Sequence, residues 1–190
     1  PGPILDLEDL GFGRLPVTAH FLRLQAIERI LDRLRYFEPA KRQAAARSIA
    51  ERSGAGVPAS LMMTSAQVQA LPTGGMAVGA HTANHPILAE VPLERAREEI
   101  VAGRDRLEAL TGAPVRLLAY PNGHPGRDYG PAHAALAGEL GFEGAVSTAP
   151  GAARPGDDLY QIPRFTPWDR ANWRFGLRLA KNSLVRTVAA

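Results

Sequence analysis

The sequence predicts an α/β fold, a parallel sheet or barrel with helices packed against it. Three observations predict it. From residue 76 onward, short apolar runs alternate with helical stretches in the order strand, helix, strand, helix, strand, loop, strand, helix, the order of a chain that crosses back to the same sheet each time. The first of these runs, Met76 to Ala80, ends on two histidines, His81 and His85, and Pro86 biases His85 away from helical backbone. The next run closes on a second unusual turn, Ala119-Tyr120-Pro121-Asn122-Gly123. The carboxyl ends of strands are where α/β sheets and barrels carry their chemistry, and imidazole is the commonest side-chain ligand for zinc and similar ions.

The elements follow in chain order. Residues 1–17 are rich in Gly, Pro and Leu and read as an irregular lead-in. Residues 19–36 repeat apolar positions at helical spacing (Leu24, Ile27, Ile30, Leu31, Leu34), with charged residues on the other face. His20, near its start, reads as a surface residue. Pro39 opens a second helix to about Arg52, closed by Gly54 and Gly56. Leu61 to Met63 is ambiguous, and Met62 and Met63 read as packing residues. Thr64 caps a short helix, Ser65 to Leu71, which Pro72-Thr73-Gly74-Gly75 ends.

After the first strand, Pro92 starts a long helix, Leu93 to Leu110. Leu93, Ala96, Ile100, Leu107 and Leu110 mark its buried stripe, and its charged residues read as a solvated face. The charge order, acidic early and basic late, suits the helix dipole. Val115 to Ala119 is the next strand and Pro131 to Leu140 the next helix. Phe142 to Thr148 and Leu159 to Phe165 are further strands. Asp169 caps a terminal helix from about Ala171 to Leu184. Four strands are few for a closed barrel. The expected organisation is one partial domain over 1–190, with 1–60 mostly helical and 61–184 the α/β part.

Composition narrows the partners. Hydrophobic residues make up 45% and charged residues 22% of the 190, ordinary for a globular chain large enough to bury a core. The net charge is +3, and the basic residues are spread along the chain without interleaved aromatics, which gives no support to nucleic-acid binding. With no cysteine, disulfides, thiolate metal sites and a cysteine nucleophile are excluded, while the compartment stays open between cytoplasm and cell envelope. No uncharged run approaches the ~20 residues of a membrane span, and no signal peptide is visible.

At its two turns the sequence resembles the polysaccharide deacetylases, the NodB-homology domain of the family 4 carbohydrate esterases. His81-Thr82-Ala83-Asn84-His85-Pro86 matches their His-Ser/Thr-x-x-His-Pro motif at each fixed position. Ala119-Tyr120-Pro121-Asn122-Gly123 is similar to a variant of their Pro-aromatic-Gly turn, and the segment ending Ile162-Pro163-Arg164 resembles a closing segment. The resemblance covers roughly residues 60–170. It implies a distorted (β/α) barrel, incomplete at its amino end. It further implies a hydrolase that removes N-acetyl groups from an amino-sugar polysaccharide with a divalent ion, zinc by expectation. His81 and His85 become the metal ligands, the Asn122 N–H the oxyanion donor, and Tyr120 and Pro121 the residues that shape the substrate groove. The common form of the second turn carries an Arg where this sequence has Ala119, and Arg164, at the end of a later strand, is the hypothesised source of that catalytic charge.

The family's Thr-Phe-Asp-Asp-Gly motif, which supplies the base and the third ligand, has no counterpart, and Asp6, Glu8 and Asp9 do not stand in for it. The Leu-x-His motif is also absent, and His124 and His133 read as surface residues. With the start at Pro1, these gaps lead to the expectation of the carboxyl-terminal part of a longer deacetylase, inactive alone. The alternative is a non-catalytic carbohydrate-binding or scaffold relative. In that case Trp168 and Trp173 would serve as stacking residues, although tryptophans so placed are more often core. An amidohydrolase-type barrel would start from a His-x-His strand, which this chain lacks.

Overall fold

The computed structural model of the protein describes residues 2–56, 58, 60–165 and 168–185. The chain divides into two compact units, Pro1–Met63 and Thr64–Ala190.

The first unit corrects the irregular lead-in. Strands β1 (Ile4–Leu7) and β2 (Gly13–Pro16) pair antiparallel, Leu5 opposite Leu15 and Leu7 opposite Gly13. The alternation Leu5/Leu7 inward and Ile4/Asp6 outward is the period of a half-buried strand. It spans only four residues, too few to stand out among the surrounding glycines and prolines. Helices α1 (His20–Leu34) and α2 (Pro39–Ser53) follow close to the expected limits. Pro39 sits in the first turn of α2, and Gly54 ends it in the left-handed conformation at φ 64°.

The buried face of α1 also differs from expectation. Ala26, Ile30 and Leu34 join Leu5, Leu7, Phe12 and Leu15 in the core, whereas Leu24, Ile27 and Leu31 are exposed. A two-stranded hairpin is narrow and covers one i, i+4 row of a helix rather than its whole apolar arc. Asp9 is tied by its two carboxylate oxygens to Arg52, both at 2.6 Å. That guanidinium holds the Asp9 carboxyl below its ordinary pKa.

The second unit opens with α3 (Ser65–Thr73). Thr64 accepts the Gln67 N–H while the Gln67 side chain accepts the Thr64 N–H, a reciprocal cap. Its sheet is an open arc. β3 (Leu117–Ala119) and β4 (Gly144–Val146) run parallel, with Leu118 beside Ala145. Single bridges extend the arc at both sides, Ala80 to Leu118 and Val146 to Ile162, both parallel. Sequential parallel neighbours joined by helices are the wall of a (β/α) barrel, here unclosed among the described residues.

Two expected strands shrink to these bridges. Met76 to Ala80 pairs only at Ala80, and Met76 is 61% exposed. A central strand is buried only when flanked on both sides, and among the described residues this one has a neighbour on one side. Leu159 to Phe165 pairs only near Ile162; Gln161 turns back to the Asp158 carbonyl, and Pro163 has no N–H with which to continue the ladder.

Helices α4 (Leu93–Thr111) and α5 (Pro131–Glu139) cover the arc. The core gathers Ala80, Leu88, Ala96, Ile100, Leu118, Tyr120, Tyr129, Leu136 and Ala145. On α4 the buried residues are Ala96, Glu99, Ile100 and Gly103, so the expected fully solvated charged face is broken by Glu99, and Leu93 is exposed instead of buried. The terminal helix α6 (Asn172–Leu184) follows Ala171, with no side-chain cap. Asp169 does not cap it but pairs with Arg178 through both oxygens.

Candidate metal centre

His81 is the first residue past the bridge at Ala80, which is locked to β3 by two hydrogen bonds. The Ala80 N–H donates to the Leu117 carbonyl and the Ala119 N–H to the Ala80 carbonyl, each at 2.8 Å. The His81 Nδ1 then lies 2.7 Å from the Ala119 carbonyl oxygen. A carbonyl only accepts, so Nδ1 carries the proton and Nε2 keeps its lone pair, the tautomer a metal ligand needs.

The chain then turns sharply. Thr82 and His85 both adopt left-handed backbone, at φ 63° and 54°, which costs about 1–2 kcal/mol per residue outside glycine. The Thr82 hydroxyl accepts the His85 N–H at 3.0 Å. The turn brings the two imidazole rings to 4.7 Å between centroids, nearly perpendicular at 77°. Rings that each reach one ion through a nitrogen at ~2.0–2.1 Å stand at about this separation. Beyond the turn, Pro86, Ile87 and Leu88 are buried and anchor it.

The anchor on the helix side was not foreseen. Glu99 is 2% exposed. Its Oε2 accepts the Asn84 N–H at 2.8 Å and its Oε1 the Asn84 side-chain amide at 3.0 Å, with Arg95 on Oε1 at 2.8 Å. The Glu99 carbonyl accepts the Ala83 N–H at 3.0 Å. The charge-assisted bonds to the Glu99 carboxylate contribute about 1.5–3 kcal/mol each, enough to offset the backbone strain. Gly103, one turn along α4, lets the turn approach. A Cβ there would lie 2.6 Å from the Thr82 carbonyl carbon.

The second turn leaves the neighbouring strand at the same, carboxyl end. Tyr120 is wholly buried. Its ring stacks on Tyr129 at 3.9 Å, and its hydroxyl donates to the Tyr160 carbonyl at 2.8 Å. Burial pushes its phenol pKa far up. Pro121 is buried as well. Both support the turn from beneath.

Asn122 (φ 54°) and Gly123 (φ 72°) are left-handed. A Cβ on Gly123 would crowd the Tyr120 carbonyl oxygen at 3.0 Å and the Thr148 nitrogen at 3.2 Å, so the turn packs closely against the end of β4. The Thr148 hydroxyl donates to the Asn122 carbonyl and the Thr148 N–H to the Gly123 carbonyl, each at 2.8 Å. None of these bonds uses the Asn122 N–H. The Asn122 Nδ2 is buried with no hydrogen-bond partner among the described residues.

Arg164 is exposed and lines a cleft of about 390 Å³ with Thr148, Phe165, Trp168, Arg178 and Lys181. Thr148, which pins the Asn122 turn, lines the same cleft. Trp168 and Trp173 are 80% and 64% exposed, so neither is a core residue. His124 is exposed, as expected. His133 is not a surface residue but half-buried: its Nδ1 accepts the Gly130 N–H at 3.1 Å and its Nε2 donates to the Leu88 carbonyl at 3.1 Å. Its position two residues after Pro131, in the first turn of α5, was the available signal.

The two imidazoles stand side by side, and His81 has the tautomer a metal ligand needs. They do not complete an ion's coordination sphere, since no group of three His, Cys, Asp or Glu suited to a metal occurs among the described residues.

Against known proteins, the chain is similar in structure to the Streptococcus pyogenes deacetylase PplD in complex with acetate. The TM-score is 0.52 at 22% identity, over 64% of this chain and 57% of that one. It is equally similar to IcaB from Ammonifex degensii, with TM-score 0.52 and 22% identity, over 64% and 53% of the two chains. The chain therefore spans a little over half the length of either. No curated protein matches it in sequence. These likenesses establish the fold, an α/β arc of the deacetylase barrel. The family described as polysaccharide deacetylase matches residues 36–145, and that span contains both turns. The chain thus belongs to the polysaccharide deacetylase family.

Proposed function

We propose that this chain supplies the histidine half of a zinc-type centre that removes N-acetyl groups from an amino-sugar polysaccharide. The observation that carries the proposal is the His81–His85 pair, held at a strand end with the His81 Nδ1–H committed to the Ala119 carbonyl. A divalent ion bound there would acidify water and polarise an acetyl carbonyl. The Asn122 N–H serves as donor to the oxygen that gains charge as the carbonyl becomes tetrahedral, a reading supported by the left-handed turn that Thr148 pins. Arg164, on the cleft beyond Thr148, supplies positive charge toward a substrate.

A general base and a third ligand are required, and we place both outside the described residues. This accords with a chain that spans 57% and 53% of its structural relatives. The 190 residues alone are then inactive. The substrate is an N-acetylated polysaccharide or oligosaccharide; among the described residues no helix is long and apolar enough to cross a membrane.

Acetate release from N-acetylglucosamine oligomers in the presence of zinc tests this reading. The protein from its natural source should release acetate and lose that activity on His81→Ala. The 190-residue chain should not exceed its own His81→Ala variant. Activity of the natural protein that survives His81→Ala overturns the proposal.

A non-catalytic sugar-binding role is the second reading, and the exposure of Trp168 on the cleft favours it. Metal-independent oligosaccharide binding, with no acetate released by the natural protein, would put it first.

A further inference from the structure

We propose that Glu99 is a positioning residue for the ion: it sets the backbone of the His81–His85 turn and so the place of the His85 imidazole. The inference rests on the metal reading of that pair and assigns a task to a helix residue outside both motifs.

Three features carry it. Glu99 is a carboxylate at 2% exposure, and its two oxygens do not share one cation symmetrically. One takes the Asn84 N–H; the other takes the Asn84 side-chain amide and Arg95. Both donors from the turn therefore converge on one side chain, which must accept at both oxygens. A glutamine would set its own amide against one of those donors. In addition, the Ala83 N–H binds the Glu99 main-chain carbonyl, so residues 83 and 84 are both held by position 99. Those two residues lie between Thr82 and His85, the two left-handed residues of the turn. Finally, Gly103 has no side chain where the Thr82 carbonyl meets α4. The helix is thus shaped to receive the turn on one side and hold it on the other.

The test uses Glu99→Gln, Asn84→Ala and the double variant of the 190-residue chain, with zinc chloride as the probe. Zinc affinity is read from the imidazole resonances of His81 and His85. The backbone couplings of Thr82 and His85 are read without metal, and the unfolding midpoint is measured separately. Glu99→Gln should weaken zinc at least about tenfold, in the range of lost outer-shell contacts, and shift the couplings away from left-handed values. Asn84→Ala should do both to a smaller degree. The double variant should be no weaker than Glu99→Gln, because both changes remove one interaction.

A residue needed only for stability would lower the midpoint and leave zinc affinity and couplings of the folded protein unchanged; that result overturns the proposal. If Glu99→Gln does not fold, Asn84→Ala decides by the same readouts. If the wild-type histidines do not respond to zinc, the metal reading fails, and the metal-free couplings still decide whether Glu99 sets the turn.

Discussion

Replacing Gly103 by alanine tests the contact between α4 and the histidine turn. In a helix interior the change should stabilise by about 1 kcal/mol, because alanine is the better helix former. Here the new Cβ would lie 2.6 Å from the Thr82 carbonyl carbon, 2.7 Å from its oxygen and 3.1 Å from the Ala83 nitrogen. Nonbonded carbons settle at about 3.5–4.0 Å, so turn and helix must separate by about 1 Å. Overpacking of this kind costs about 1–3 kcal/mol. The separation also stretches the Ala83 and Asn84 bonds to Glu99, now 3.0 and 2.8 Å, each contributing about 1 kcal/mol or more. The net expectation is a destabilisation of about 1–3 kcal/mol in a urea melt. Gly176 in α6 is the control: beyond its chain neighbours and its own helix backbone, no atom of the described residues lies within 4 Å of its added Cβ, so Gly176→Ala should stabilise by up to about 1 kcal/mol. A Gly103→Ala protein as stable as the wild type, or more so, would refute the close approach and with it the account of how α4 holds the turn.

Asn122→Gly should raise stability by about 1 kcal/mol, since it relieves a left-handed backbone and a buried unpaired amide; a loss of stability in the same melt would mean the amide is satisfied. Tyr120→Phe should cost about 1–2 kcal/mol by removing the bond to the Tyr160 carbonyl, measured by thermal unfolding. Burial raises the Tyr120 and Tyr129 phenols above their ordinary pKa. The folded state then keeps protons that the unfolded chain releases, so stability should fall as pH rises above about 10, less steeply in Tyr120→Phe. Burial depresses the His133 imidazole, so its contribution is complete above about pH 6.5 and declines as pH falls through the lowered value. His133→Asn should flatten the stability profile below pH 6.5, and an unchanged profile would contradict the buried neutral ring.

Both turns were legible in the sequence because their chemistry is local. His81, His85 and Pro86, and Tyr120 to Gly123, carry their signature within a few residues, and helices α1 to α5 were legible from periodicity and from Pro and Gly at their ends. What was not legible depends on partners distant in the chain. Glu99 reads as one more charge on an amphipathic helix, and only the fold brings Asn84 beneath it. Tyr120 reads as an aromatic beside a site, and only the stack on Tyr129 and the bond to Tyr160 make it core. Met76 to Ala80 carries the apolar character of a strand, but a strand exists only where a neighbour accepts its hydrogen bonds, and only Ala80 is bridged. The hairpin at residues 4–16 failed for the opposite reason: its partners are near, but each strand is four residues long.

The most direct test of the metal centre follows the imidazole resonances of all five histidines while zinc is added to the protein. The account predicts that His81 and His85 respond together at one equivalent, His81 through Nε2, and that His81→Ala abolishes the response at His85. His20, His124 and His133 should stay unmoved. Zinc response at any of those three without His81 and His85, or retention of the His85 response in His81→Ala, would contradict it.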